Sequence, residues 1–157
     1  MQESKDQVQQ TTEPTNKAIP LNVGDSVSFS KTVGESDVYL FAGITGDFSP
    51  NHVNEEVMKE TPYKQRIAHG VLSLGFASTT SSLMIEKANQ RAKTTAVSSG
   101  YDRVRFIRAV LVGDTITVTY TISEVDEENL ITRANVEIVN QHGETCTVAQ
   151  HILKFLV

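Results

Sequence analysis

Gly70-Val71-Leu72-Ser73-Leu74-Gly75-Phe76-Ala77-Ser78-Thr79-Thr80-Ser81-Ser82-Leu83-Met84-Ile85 runs from His69 to Glu86 without one charged residue. Its length and its lack of proline predict a helix over residues 70–87, and a helix with no charged face is buried on most of its sides. Its small residues would let a sheet or a partner helix approach closely. Downstream the pattern changes to period two. Val97 to Val110 sets Val104 and Phe106 between Arg103, Arg105 and Arg108. Ile116 to Ile122 is apolar on even positions and Thr on odd ones. Leu130 to Val139 alternates again, Asn140-Gln141-His142-Gly143 reads as a turn, and Glu144 to Phe155 returns. These are long antiparallel strands.

Upstream of the helix, Val23-Gly24-Asp25-Ser26 opens the strand Val27 to Ser30, and Val112-Gly113-Asp114-Thr115 opens the strand at Ile116 in the same way. Between the first strand and the long helix lies a shorter helix. Ser36 is its expected N-cap, with Asp37 in the first turn, Leu40 and Ile44 on one face, and Gly46 at the C-terminal left-handed position. Asn54 to Glu60 has room for a further turn or two. The fold class is therefore α+β: a curled antiparallel sheet around a long central helix.

The composition narrows the function classes. A chain of 157 residues, 39% apolar, makes one domain. A net charge of −5 argues against a nucleic-acid binder. The single cysteine, Cys146, allows no internal disulfide and no Cys-rich metal site; alternating with Val148, it reads as a packed residue. No apolar run spans a membrane. From Met1 to Lys17, Val8 is the only apolar residue after Met1. Residues 1–18 therefore read as a solvated, disordered tail and not as a secretory signal, with the folded domain covering 19–157. A cytoplasmic protein in a reducing compartment is expected.

Two segments could carry chemistry. The first, Phe41 to His52, sets Asp47 and His52 five positions apart in a loop stiffened by Pro50. A carboxylate and an imidazole can share one water, one group taking a proton and the other giving one. Alternatively, Asp47 orients the ring. The plain alternative is turn chemistry, since Gly-Asp occurs three times in the chain. The second segment is Arg66-Ile67-Ala68-His69-Gly70-Val71-Leu72, where a loop enters the long helix. Unpaired N–H groups and the helix dipole make such a start an oxyanion hole, with Gly70 admitting a ligand oxygen. Its plain alternative is that Gly70 relieves crowding between helix and sheet. His142, in a turn, and His151, in a strand, read as structural.

Phe41…Thr45-Gly46-Asp47-Phe48-Ser49-Pro50-Asn51-His52 resembles the hydratase-2 motif of MaoC-like (R)-specific enoyl-CoA hydratases: an aromatic, then Ser/Thr-Gly-Asp-x-Asn-Pro-aliphatic-His. Ile67-Ala68-His69-Gly70-Val71-Leu72 matches the family's second block in kind and spacing. Gly100 to Phe106 and Val112 to Thr115 are similar to its later strands. Two ordered blocks at the right separation carry more weight than either alone.

The resemblance implies a hot-dog fold and a homodimer, or dimer of dimers, with an acyl-thioester tunnel at the interface. It makes Asp47 and His52 the catalytic pair and Gly70 the donor to the thioester carbonyl. Ser78 falls where relatives carry a serine near the site. Arg103 and Arg105 are candidates for the phosphates of coenzyme A, with solvent as their plain alternative. The expected reaction is reversible hydration of a trans-2-enoyl-CoA, or of its acyl-carrier-protein equivalent, to the (R)-3-hydroxyacyl thioester. No cofactor or metal is expected. Two positions depart from the motif: Ser49 stands for Asn, and Asn51 for an aliphatic residue. A hot-dog thioesterase and a non-catalytic acyl-binding or structural member are the alternatives.

Overall fold

The turn after the first strand and the turn before the third pair with each other: Val33 N–H donates to Asp114 O at 2.8 Å, and Gly113 N–H to Val33 O at 2.7 Å. Gly113 makes this possible by adopting φ 100°. The computed structural model describes residues 19–156. The tail expected over residues 1–18 lies outside them. Among the described residues nine elements follow in order: β1 (Ser26–Thr32), α1 (Glu35–Thr45), α2 (Pro50–Val53), α3 (Glu55–Lys59), α4 (Gly70–Asn89), β2 (Thr95–Phe106), β3 (Thr115–Asp126), β4 (Ile131–Val139) and β5 (Thr145–Leu156).

The strands form one antiparallel sheet in the order β1-β3-β4-β5-β2. Its inner face carries Ile116, Val118, Tyr120 and Ile122 of β3, Ala134, Val136 and Ile138 of β4, and Leu153 and Phe155 of β5, all buried. The threonines on odd positions of β3 face outward. There they make hydroxyl pairs with β1: Ser26–Thr121 at 2.9 Å, Ser30–Thr117 at 2.8 Å and Thr32–Thr115 at 2.7 Å.

Helix α4 lies against the inner face through Leu72, Ser73, Ala77, Thr80, Ser81, Met84 and Ala88. Ser73, Thr80 and Ser81 enter this core without cost in unpaired hydroxyls, because each donates to the carbonyl three residues back. The curled antiparallel sheet around a central helix is the hot-dog arrangement expected. Ile19 and Leu21 are buried in the core.

Three expectations are corrected. Helix α1 starts one residue before Ser36, at Glu35; Gly34 is the N-cap, and its N–H donates to Asp37 Oδ2 at 2.8 Å. Leu40 and Ile44 point outward, 65% and 83% exposed, while Val38 and Ala42 are buried. Helix α4 is not enclosed on most sides: Val71, Gly75, Ser78, Thr79 and Ser82 form an exposed stripe. No helix among the described residues is long and apolar enough to cross a membrane.

Candidate active site

Gly46 ends α1 at φ 79°, its N–H donating to Ala42 O, and turns the chain sharply into Asp47. Asp47 is then held by its neighbour Ser49. Ser49 Oγ donates to Asp47 Oδ1 at 2.7 Å and Ser49 N–H donates to the same oxygen at 3.2 Å. These bonds hold the Asp47 carboxyl below the usual carboxylate range. Oδ2 remains for other partners.

Pro50 opens the single turn α2, which carries His52 into a buried position. His52 Nδ1 lies 2.8 Å from Ile67 O, a carbonyl that only accepts, so Nδ1 carries the proton and Nε2 of the neutral ring carries the lone pair. Ile67 N–H in turn donates to Asn51 O at 3.1 Å. The two motifs are thus tied together through the backbone of Ile67. His52 Nε2 lies 3.9 Å from Asp47 Oδ2, a gap that one water can bridge.

The sequence reading gave His69 no role of its own. It is buried, caps α4 at its N-terminus, and places Nε2 3.0 Å from Asp47 O and 3.9 Å from Asp47 Oδ2. Its ring stacks on that of His52 with centroids 3.7 Å apart, and Phe41 packs on it at 4.8 Å. The signal available was position: His69 directly precedes Gly70 in the second motif. Asp47, His52 and His69 each present a ligand atom within 4.8 Å of the others. The two rings are inclined by only 27°, however, so their in-plane lone pairs run nearly side by side and do not converge on one ion.

Gly70 opens α4 on the wall of a cleft of about 360 Å³ that also holds Asn51, His52, Ser73, Phe106 and Thr147. Two features of Gly70 bear on its two readings. It sits at the unpaired N-terminus of a long helix, and a Cβ on it would meet the Phe106 ring at 3.0 Å. Behind it, Ser73 Oγ reaches Thr147 Oγ1 at 3.1 Å.

Arg66 anchors the whole site. Its buried guanidinium meets Glu35 of α1, Glu55 Oε2 of α3 at 3.3 Å and Tyr39 Oη at 3.1 Å.

The other candidates lie elsewhere. Ser78 is two turns along α4 on the exposed stripe, outside the cleft lining. Arg103 sits at a bulge of β2 with φ 53°, in a shallow depression shared with Asp102, Glu124 and Arg133. Arg105 is exposed and donates to Val104 O. The arginine that lines the cleft is Arg108, paired with Glu144 at 3.1 Å.

His142 is exposed in its turn, and Cys146 is buried, with burial pushing its thiol up. His151 is fully buried, hydrogen-bonded to Ser98 Oγ at 2.7 Å and Tyr120 Oη at 2.9 Å.

Comparison with known proteins places the chain among relatives. Residues 8–145 match the model of the MaoC like domain. The chain is 37% identical over 131 residues to the (R)-specific enoyl-CoA hydratase of Rhodospirillum rubrum, covering 83% of this chain and 80% of that one. The solved (R)-hydratase of Aeromonas caviae, involved in PHA biosynthesis, superposes with a TM-score of 0.73 at 26% identity, over 85% of this chain and 96% of that one. A solved monoamine oxidase regulatory protein of Archaeoglobus superposes with a TM-score of 0.74 at 31% identity, over 87% and 92% of the two chains. A family match across nearly the whole folded region, on a fold and a two-motif site of this geometry, means that the chain belongs to the MaoC-like domain family.

Proposed function

We propose that the protein is a hydro-lyase that adds water reversibly to a trans-2-enoyl thioester of coenzyme A or acyl carrier protein, giving the (R)-3-hydroxyacyl thioester. The observation that carries this reading is the 3.9 Å gap between Asp47 Oδ2 and the lone-pair nitrogen of His52, beside the start of α4 at Gly70.

One water in the gap would be oriented by both groups. Gly70 N–H, with the helix dipole behind it, receives the oxygen of the thioester carbonyl as negative charge develops there. One such donor is typically worth about 3–4 kcal/mol. As the water oxygen adds to C3, His52 Nε2 takes its proton, and the Asp47 carboxylate, held by Ser49, stabilises the imidazolium. The same proton then passes to C2 of the enolate on the same face. Water thus supplies both the hydroxyl and the hydrogen, and the enzyme ends as it began. Arg108, at the rim, is the cation placed to meet the phosphates of the thioester carrier.

A second copy of the chain belongs to this reading. Leu40, Ile44 and Phe48, close to Asp47, are 65%, 83% and 57% exposed, and β2 is an open sheet edge of 12 residues. A homodimer would cover such surfaces.

The test is loss of enoyl absorbance with a crotonyl- to dodecenoyl-CoA panel, run beside a thiol reagent. Absorbance loss without free thiol is expected, whereas thiol release would make the protein a thioesterase. Asp47→Asn and His52→Ala should each nearly abolish turnover, and the double variant should be little worse than either. Wild-type turnover in either single variant would remove the mechanism.

A further inference from the structure

Asn51 contacts the proposed base directly, in a way that hydration by itself does not require. Its Nδ2 lies 3.2 Å from His52 Nε2, and because Nδ1 holds the ring proton against Ile67 O, the amide must be the donor. The amide therefore occupies the lone pair that the reacting water needs. Asn51 Oδ1 has no hydrogen-bond partner among the described residues, and the residue lines the cleft. Two polar groups of the lining are already engaged, Ser73 with Gly70 O and Thr147, and Arg108 with Glu144. Ile67, Ala68, Phe106 and Val110 supply apolar wall.

When water takes Nε2, the amide is released into this cleft with a donor and an acceptor to satisfy. A plain hydrocarbon chain leaves both unpaired, which is unfavourable in a partly apolar site. A hydroxyl, keto or amide group on the acyl chain can pair them. We infer that Asn51 selects the substrate: the site takes acyl thioesters that carry a hydrogen-bonding substituent beyond the reacting carbons. The inference rests on the hydratase reading for the identity of the thioester, and its test separates the two.

Butyryl-CoA and 4-hydroxybutyryl-CoA, which are saturated and cannot be hydrated, are titrated into the wild-type protein and Asn51→Leu by calorimetry. Crotonyl-CoA and 4-hydroxycrotonyl-CoA are then assayed for turnover. Wild type should favour the hydroxylated ligand by about tenfold in both measurements, and Asn51→Leu should bring the ratio close to one. A wild-type ratio near one overturns the inference without reference to any variant, as does an unchanged ratio in a folded Asn51→Leu. A binding preference without turnover would leave the selecting role standing and remove hydration. Turnover without preference would do the reverse.

Discussion

The rings of His52 and His69 stack at 3.7 Å, while His69 Nε2 reaches the main-chain oxygen of Asp47 at 3.0 Å. One buried histidine thus touches both halves of the proposed acid–base pair. Its Nδ1 is buried without a hydrogen-bond partner among the described residues.

His69 is therefore expected to act as a positioning residue. His69→Phe keeps a ring against His52 but loses the bond to Asp47 O. It should lower kcat about 10–100-fold with little change in KM, since a small misplacement of reacting groups is that costly. His69→Gln, able to donate from nearly the same place, should recover part of the loss. Steady-state kinetics on an enoyl thioester, with melting temperatures to check folding, decide it. An unchanged kcat in a folded His69→Phe would reduce the stack to packing.

Ser49 keeps Asp47 ionised to lower pH. Its hydroxyl and N–H hold the Asp47 carboxyl below its ordinary range. Ser49→Ala removes the hydroxyl bond and should let the Asp47 value rise. A carbon NMR titration of the Asp47 carboxyl should show its midpoint at higher pH in the variant. An unmoved midpoint would show that the Ser49 hydroxyl does not hold the carboxylate.

Gly70→Ala is expected to cost activity more than stability. The new Cβ meets the Phe106 ring at 3.0 Å, but Phe106 is 49% exposed and can yield outward. The methyl group also stands where the thioester oxygen must approach. A kcat/KM loss of about 10–100-fold is expected, from partial loss of one oxyanion donor. Phe106→Leu in the Gly70→Ala background should restore melting temperature but not turnover. Recovery of turnover along with stability would make Gly70 a packing residue alone.

His151 should make the protein acid-sensitive. It is fully buried, both ring nitrogens meet hydroxyls, and burial lowers its value from 6.5 to about 4. Below pH 6.5 the unfolded chain takes up a proton that the folded one refuses. Stability from this group is thus complete above pH 6.5, declines as pH falls and levels off below about 4, a total on the order of 3 kcal/mol. Urea unfolding across pH 4–7 should show the slope, and His151→Gln should flatten it. An equal slope in the variant would place the sensitivity in other groups.

The amino-acid sequence by itself determined the strands, the central helix, the end of α1 at Gly46 and the closeness of Asp47 to His52. Each is written in local terms. Alternation of apolar and Thr residues in β3 records a pleat with one face inward, and Asp47 and His52 are joined by one short loop. Both motif blocks were legible too, because their residues are contiguous. Only the tertiary structure decided which side chains meet. Leu40 and Ile44 share a helix face with the spacing of a core stripe, yet that face turns outward because Val38 and Ala42 take the buried side. His69 lies 22 positions from Asp47 and joins it because the Ile67 backbone bonds to Asn51 and His52 bring the two loops together. Arg103, Arg105 and Arg108 look alike along β2 and the loop after it, but the cleft opens where β2 ends, and only Arg108 lines it. The partner of Asn51, invisible in the motif, is the neighbouring ring itself, because the proton on His52 Nδ1 is fixed by a carbonyl from the second segment. Periodicity is a property of one stretch of backbone, whereas a site is a coincidence of several stretches, set by packing and register between segments far apart in the chain.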